Sequence, residues 1–424
     1  MRFLPHTAEE RKTMLNDIGA KSVDDLYNNV AEESVLNVKM DLPNTQSEFA
    51  VERHISKMVS KNKPANDHPF FLGAGCYYHH VPSTVDHMIQ RSEFLTAYTP
   101  YQPEISQGTL ATIFQFQSMI AALTGQEVAN ASMYDGATSL AEAALMARRI
   151  TKRDAVYIAG ELHPDYRDTL TTYTSTIGGI IKHGTDMNDD AACLIVQVPD
   201  FYGNIHSLDE YRAMCDKVGA KLIVAVTEIV SLGMLPAPEQ ADIVVGEGQS
   251  IGVPMQFGGP HVGFFACSLK DVRSMPGRLC GVTTDADGMR SFVLTLNTRE
   301  QHIRRAKATS NICTNVGLCA TAFTVHLSLL GEIGFKQLAT LNHEAAITFA
   351  NKLEAAGGRV INETFFNEFV VELPANAKTI ANHMTENGII AGLALEGNKM
   401  LVAVTEMTTE SDMDAFVTAM KGAA

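Results

Sequence analysis

The sequence predicts an α/β protein: a large, mostly parallel sheet covered on both faces by helices, followed by a smaller C-terminal α/β domain. Three observations carry this. Short apolar, β-branched runs (Ala155 to Ala159, Ala192 to Val198, Lys221 to Val226, Ala241 to Val245) alternate with helical stretches, the texture of strand–helix repeats. The runs are apolar almost throughout, as strands buried on both faces are. After Lys307 the texture changes: a helical block from Asn315 to about Ala356 precedes a strand–helix–strand–helix pattern, which reads as a second, smaller α/β unit. The expected division is a helical arm over 1–69, a large domain over 70–310 and a small domain over 311–424.

Taken in order, the arm is polar and helical. Thr7-Ala-Glu-Glu10 has the form of a capping box, Ser22-Val-Asp-Asp25 that of a second helix start, and the helical pattern through Glu48 to Val59 stops at Pro64. Such an arm is expected to pack on a partner or on the main domain. A long amphipathic helix is predicted from Gln107 to Gly125, with Leu110, Ile113, Phe114, Met119, Ile120 and Leu123 on its apolar face. Further helices follow Gly136 and Pro164 and span Leu208 to Val218. The run Ala241 to Val245 leads into a glycine-rich loop that Gly246, Gly248, Gly252 and Pro254 keep from being helical. The Gly258-Gly259-Pro260 turn then opens a return strand, Val262 to Ala266. Strand, tight loop and return strand would present Gln249 and Ser250 to a pocket.

Composition bounds the function. The chain has 424 residues, 46% hydrophobic and 19% charged, ample for a sizeable core. Its formal net charge of −15 argues against a nucleic-acid backbone as partner, because phosphate binding needs clustered Lys and Arg. Seven cysteines without a Cys-x-x-Cys pair read as reduced residues of a cytoplasmic protein. The start MRFLPHTAEERKT has no apolar core for a secretory or transit signal. Val316 to Leu330, interrupted by Thr321, Thr324, His326 and Ser328, reads as a buried helix rather than a membrane span.

Several motifs compete for attention. Gly246-x-Gly248-x-x-x-Gly252 misses the spacing of a dinucleotide fingerprint, and Pro254 blocks the helix that would hold a pyrophosphate. The adjacent His79-His80 pair lacks a third ligand at zinc spacing, so no metal is expected. Gly136-Ala-Thr138-Ser139 opens a helix, and its N–H groups and hydroxyls suit an anion; alternatively Thr138 or Ser139 merely caps the helix. His163 ends a strand, and Glu228 follows another. The blocks Gly73 to Pro82 and Glu93 to Gly108 are dense in Tyr, His, Gln and Pro and poorly periodic, as rigid binding loops are. Arg299, Arg304, Arg305 and Lys307 form either a solvated helix face or cationic contacts to an anion.

These blocks resemble the glycine cleavage system P-protein, a pyridoxal-phosphate (PLP) family of fold type I (aspartate aminotransferase-like), from MRFLPHT through the FFNEF block at Phe365 to Phe369 and the closing AVTEMTTESDMD. Aligning the family's GGP turn places its Schiff-base lysine at Gln249. An amide is not a nucleophile and cannot do a lysine's work, so the resemblance is to the α chain, or subunit 1, of a split enzyme. It implies that PLP is bound covalently on a partner β chain in an α₂β₂ assembly. It also implies that glycine loses its carboxylate as CO₂, and that the aminomethyl group passes to the lipoyl arm of the H-protein. On this chain it implies no catalytic residue and a vestigial cofactor pocket at Gly136, Thr138, Ser139, His163 and Glu228. Contacts to substrate or partner would come from His79, His80, Tyr98, Tyr101, Glu104 and Gln107, with Arg299, Ser310 and Asn311. Two rivals stand beside this reading. A self-sufficient PLP enzyme would need a lysine at the sheet, and Lys307 lies on a basic helical run instead. A non-catalytic regulatory or scaffold subunit of the same fold would need none of these loops.

Overall fold

The computed structural model describes residues 5–35, 38, 40–95, 99–313 and 315–423. The chain divides into two compact units, 1–62 and 63–424. The first holds helices α1 (Ala8–Asp17) and α2 (Glu48–Val59) with short 3₁₀ turns between them. The Thr7–Glu10 capping box forms with both reciprocal bonds. Ser22 and Asp25 also bond reciprocally, yet they open only the single 3₁₀ turn Asp24–Tyr27. Asp25 folds its carboxylate back on the N–H groups of Lys21 and Ser22, and Val23, Leu26, Tyr27 and Val30 stay exposed, so no packing of an apolar face propagates a helix.

The second unit contains the remaining helices: α3 (Ser83–Ile89), α4 (Ser92–Leu95), α5 (Gln107–Thr124), α6 (Gly136–Thr151), α7 (Pro164–Ser175), α8 (Asp209–Val218), α9 (Gln301–Arg304), α10 (Gly317–Ala355), α11 (Ala377–Glu386) and α12 (Glu410–Gly422). Its main sheet has seven strands: β1 (Val128–Ala129), β2 (Ala155–Ala159), β3 (Ile180–His183), β4 (Ala191–Gln197), β5 (Lys221–Val226), β6 (Ile243–Glu247) and β7 (Gly263–Cys267). Their order is β1-β7-β6-β5-β4-β2-β3. Strands β3, β2, β4, β5 and β6 pair in parallel, while β7 returns antiparallel beside β6. Alternate residues of β2, β4, β5, β6 and β7 feed two separate cores. Leu222, Val224 and Val226 of β5 pack with Phe116 and Ile120 of α5 and Phe323 and Leu327 of α10. Ile223 and Ala225 face Leu140, Ala144 and Ala147 of α6 and Leu170 of α7. Helices thus cover both faces, which is why these strands carry no polar side.

A hairpin, β8 (Leu279–Thr284) with β9 (Arg290–Thr295), leans on α5. Toward the C-terminus, β10 (Arg359–Val360), β11 (Glu368–Glu372), β12 (Leu393–Ala394) and β13 (Lys399–Ala403) form an antiparallel sheet in the order β10-β11-β13-β12. Its core is aromatic: Phe71 lies 4.8 Å from both Phe349 and Phe416, and the backbone of Phe71 bonds to Ile390 and Ala403. Among the described residues one helix, α10, is long and apolar enough to cross a membrane. Gly331 breaks it with non-helical angles, and Ala320, Ala322, Phe323 and Leu327 of its first half are packed in the core of the main sheet.

Candidate functional site

Parallel sheets open a ligand crevice where their strands end, and a cavity of about 380 Å³ lies there. Strand β6 delivers its last residue, Glu247, to the cavity; the next loop brings Gln249, α6 brings Gly136, the β2–α7 connection brings His163, and the first turn of α7 brings Tyr166. The end of β6 is tight: a Cβ on Gly246 would sit 1.9 Å from the Val226 carbonyl oxygen, so glycine is needed there.

Gln249 is 3% exposed. Its amide nitrogen donates to the Val253 carbonyl, and the Cys76 thiol donates to its amide oxygen at 3.6 Å. Both ends of the side chain are therefore held, and neither is a nucleophile. Glu247 is buried beside it. One carboxylate oxygen accepts the N–H groups of Gln249 (3.0 Å) and Val262 (2.9 Å), the other that of Gly136 (3.0 Å). Burial raises its pKa, against the pull of the His261 imidazole and the N–H groups of Val262 and Gly136.

Gly136 thus lies at the cavity and starts α6, but the cap is Asp135, whose carboxylate accepts the Thr138 N–H at 2.7 Å. The Thr138 and Ser139 hydroxyls both donate back to the Asp135 carbonyl. Neither is offered to the cavity. His163 lines it with a fixed ring: Nδ1 accepts from the Asp165 N–H, so Nε2 carries the proton and donates to the Ala74 carbonyl at 2.8 Å. Phe201 stands edge-on to this ring at 5.2 Å.

Glu228 does not line this cavity. It is buried with His79, which the sequence groups with the binding loop. His79 Nε2 lies 3.0 Å from Glu228, and Nδ1 lies 2.9 Å from Glu406. Burial opposes a charged imidazole here, yet the two carboxylates win and push its pKa up to about 10. Glu406 also accepts from the Asn342 amide and the His80 N–H. The trio ties the loop after Gly73 to β5, to α10 and to the turn after β13. His79 is therefore inside the protein, while His80 next to it is exposed.

The other loop candidates separate in the same way. Gln107 clamps the hairpin, donating to the Phe292 carbonyl (2.8 Å) and accepting the Phe292 N–H (2.9 Å). Tyr101, 54% exposed, accepts a bond of 3.0 Å from Arg278 through its hydroxyl, and its ring stacks under the same guanidinium at 5.2 Å. Glu104 is exposed; Tyr98 lies outside the described residues. Arg299 gives its guanidinium to the carbonyls of Met275, Gly277 and Leu296. It braces the loop that carries Arg278. Ser310 and Asn311 line a separate cavity with Glu142 and Tyr173; Ser310 Oγ accepts the Ile312 N–H.

Two residues escaped the sequence reading. Arg278 is 2% exposed and reaches Glu300, Thr99 and Tyr101. A lone arginine inside the apolar run Pro276 to Val282 was its signal, because a buried charge needs a partner. Glu247 was signalled likewise, as an acid closing an otherwise apolar strand.

The family model described as "Glycine cleavage system P-protein" matches residues 1–420. A "Probable glycine dehydrogenase (decarboxylating) subunit 1" of Maricaulis maris is 51% identical over 445 aligned residues, covering 100% of both chains. One of Parvibaculum lavamentivorans is 50% identical, covering 99% of each. A crystal structure of glycine decarboxylase (P-protein) of the glycine cleavage system, in inhibitor-bound form, superimposes with a TM-score of 0.94 at 40% identity, covering 100% of both. A sphingosine-1-phosphate lyase of Burkholderia pseudomallei shares the fold at a TM-score of 0.66 and 13% identity, over 94% of each chain.

Proposed function

The chain belongs to the glycine cleavage system P-protein family, and from that premise we propose that it acts as the α chain, subunit 1, of a heteromeric glycine decarboxylase. With a β chain it takes the carboxylate from glycine as CO₂ and passes the aminomethyl group to the lipoyl arm of the H-protein, in an α₂β₂ assembly in the cytoplasm. PLP, held by a lysine of the β chain, supplies the electron sink. This chain's own residues bind and position. The exposed His80, Tyr101 and Glu104 wall the partner's pocket and guide the lipoyl arm. The Arg278–Glu300 pair and Arg299 hold the loop that presents Tyr101.

One observation carries the division of labour. The cavity at the strand ends contains, where an imine-forming amine would have to stand, the buried and doubly hydrogen-bonded amide of Gln249. The residues present do not fit PLP, and no step of the reaction runs through this cavity. The test is co-expression with a β chain and assay of glycine–bicarbonate exchange. Exchange is expected from the pair and not from this chain alone. Exchange by this chain alone, with a borohydride-reducible bond to one of its lysines, would overturn the reading.

A further inference from the structure

We propose that Glu247 is a built-in anion that stands in for a cofactor phosphate and keeps phosphate-bearing ligands out of this cavity. Loss of the lysine is then one of two blocks, and restoring it alone does not restore cofactor binding. The inference rests on the reading above, that this cavity is a cofactor pocket out of use.

The N-terminus of a sixteen-residue helix such as α6 attracts an anion, because its first N–H groups lack helical partners and its dipole is positive there. In this chain that end is already served. Glu247 takes the Gly136 N–H at 3.0 Å, and Asp135 takes the Thr138 N–H at 2.7 Å. Glu247 also gathers N–H groups from two further segments, Gln249 in the loop after β6 and Val262 before β7. One carboxylate thus joins three pieces of backbone around a single point, as a bound phosphate does in a nest of amides. Tyr166 packs directly on this helix start: a Cβ on Gly136 would lie 1.8 Å from its hydroxyl. The charges agree. Asp135, Asp165 and Glu247 line the cavity, and among the described residues no lysine or arginine does. Among the described residues its only basic lining groups are the imidazoles of His163 and His261, and His261 lies 3.7 Å from Glu247 itself. A phosphate dianion entering would meet three acids and a histidine already paired with one of them.

The test uses the full chain, purified with its partner subunit if it requires one, and inorganic phosphate and PLP as probes. Glu247→Ala removes the carboxylate and leaves three N–H groups unpaired. Its melting temperature should fall, and phosphate should restore it saturably. Phosphate should bind this variant about tenfold or more tighter than it binds the wild type. Glu247→Gln keeps the side-chain volume and should gain no phosphate binding. With PLP and borohydride, peptide mapping should find label at residue 249 in the Glu247→Ala/Gln249→Lys double variant and none there in Gln249→Lys alone; mapping separates this signal from any on the partner. Equal phosphate stabilisation of wild type and Glu247→Ala overturns the proposal, and so does label at residue 249 in Gln249→Lys alone. If Glu247→Ala does not fold, the Gln249→Lys labelling decides. Because none of these readouts uses glycine turnover, a negative result here leaves the decarboxylase reading separately testable.

Discussion

At the scale of single residues, the most consequential group is His79. Placed between Glu228 and Glu406 it is charged, and it also draws Glu406 down: burial raises that carboxyl, but the bonds from His79 outweigh it and lower its pKa to about 2. His79→Ala would leave two carboxylates buried without their cation. We expect a loss of about 3–5 kcal/mol, the usual result of removing one partner of a buried pair, read from the denaturant midpoint. The pH dependence follows from the same shifts. The His79 pKa is raised from 6.5 to about 10, so its contribution is full below 6.5 and disappears as pH rises through 10. Glu406 is depressed from 4.5, so its contribution is present above 4.5 and disappears as pH falls toward 2. Buried Glu368, raised to about 7 by burial, adds a further loss as pH rises from 4.5 through 7. Stability measured against pH should therefore decline as pH rises, and His79→Ala should lack the share of that decline that His79 contributes between pH 6.5 and 10.

At the scale of elements, the hairpin β8–β9 is held by two glutamines of α5 acting as a substitute strand. Gln117 donates to the Cys280 carbonyl at 3.0 Å and accepts the Cys280 N–H at 2.8 Å; Gln107 does the same to Phe292. Each primary amide offers a donor and an acceptor spaced like those of a peptide group. Gln117→Ala leaves a buried N–H and C=O unpaired, and a cost of about 1–3 kcal/mol is expected. Hydrogen exchange should find the Cys280 amide deprotected in this variant and the Phe292 amide deprotected in Gln107→Ala. The loop after β6 is equally constrained. Gly252 has φ +87°, and a Cβ there would meet the Ala322 carbonyl oxygen of α10 at 2.4 Å. Gly252→Ala should destabilise by about 1–3 kcal/mol through strain of this kind, seen as a lower melting temperature.

At the scale of the whole molecule, α10 spans the two sheets: before Gly331 it packs in the core of the main sheet, and after it Phe349 and Leu353 join the aromatic core of the C-terminal one. The surface that remains exposed near the Arg278 loop is where partner contacts are expected. Alanine at His80 and Glu104 together should lower glycine–bicarbonate exchange by the pair while leaving this chain's melting temperature within about 1 °C, since exposed substitutions change stability little; unchanged exchange would remove these residues from the contact surface. Much of the architecture was legible in the chain alone. Lys221 to Val226 reads as a strand because both of its faces are apolar, and Gln107 to Gly125 as a helix because its apolar residues recur with a helical period. The absence of an amine at position 249 is likewise a property of the residue itself. Strand β3 and the hairpin β8–β9 were not legible, because exposed strands lack the continuous apolar run that buried ones show. Nor were the pairings of His79 with Glu228 and Glu406, 149 and 327 positions away, or of Glu247 with the start of α6. A side chain's chemistry travels with the sequence. Its burial, its partners and hence its charge depend on which distant segments are packed against it, and only the folded chain decides that.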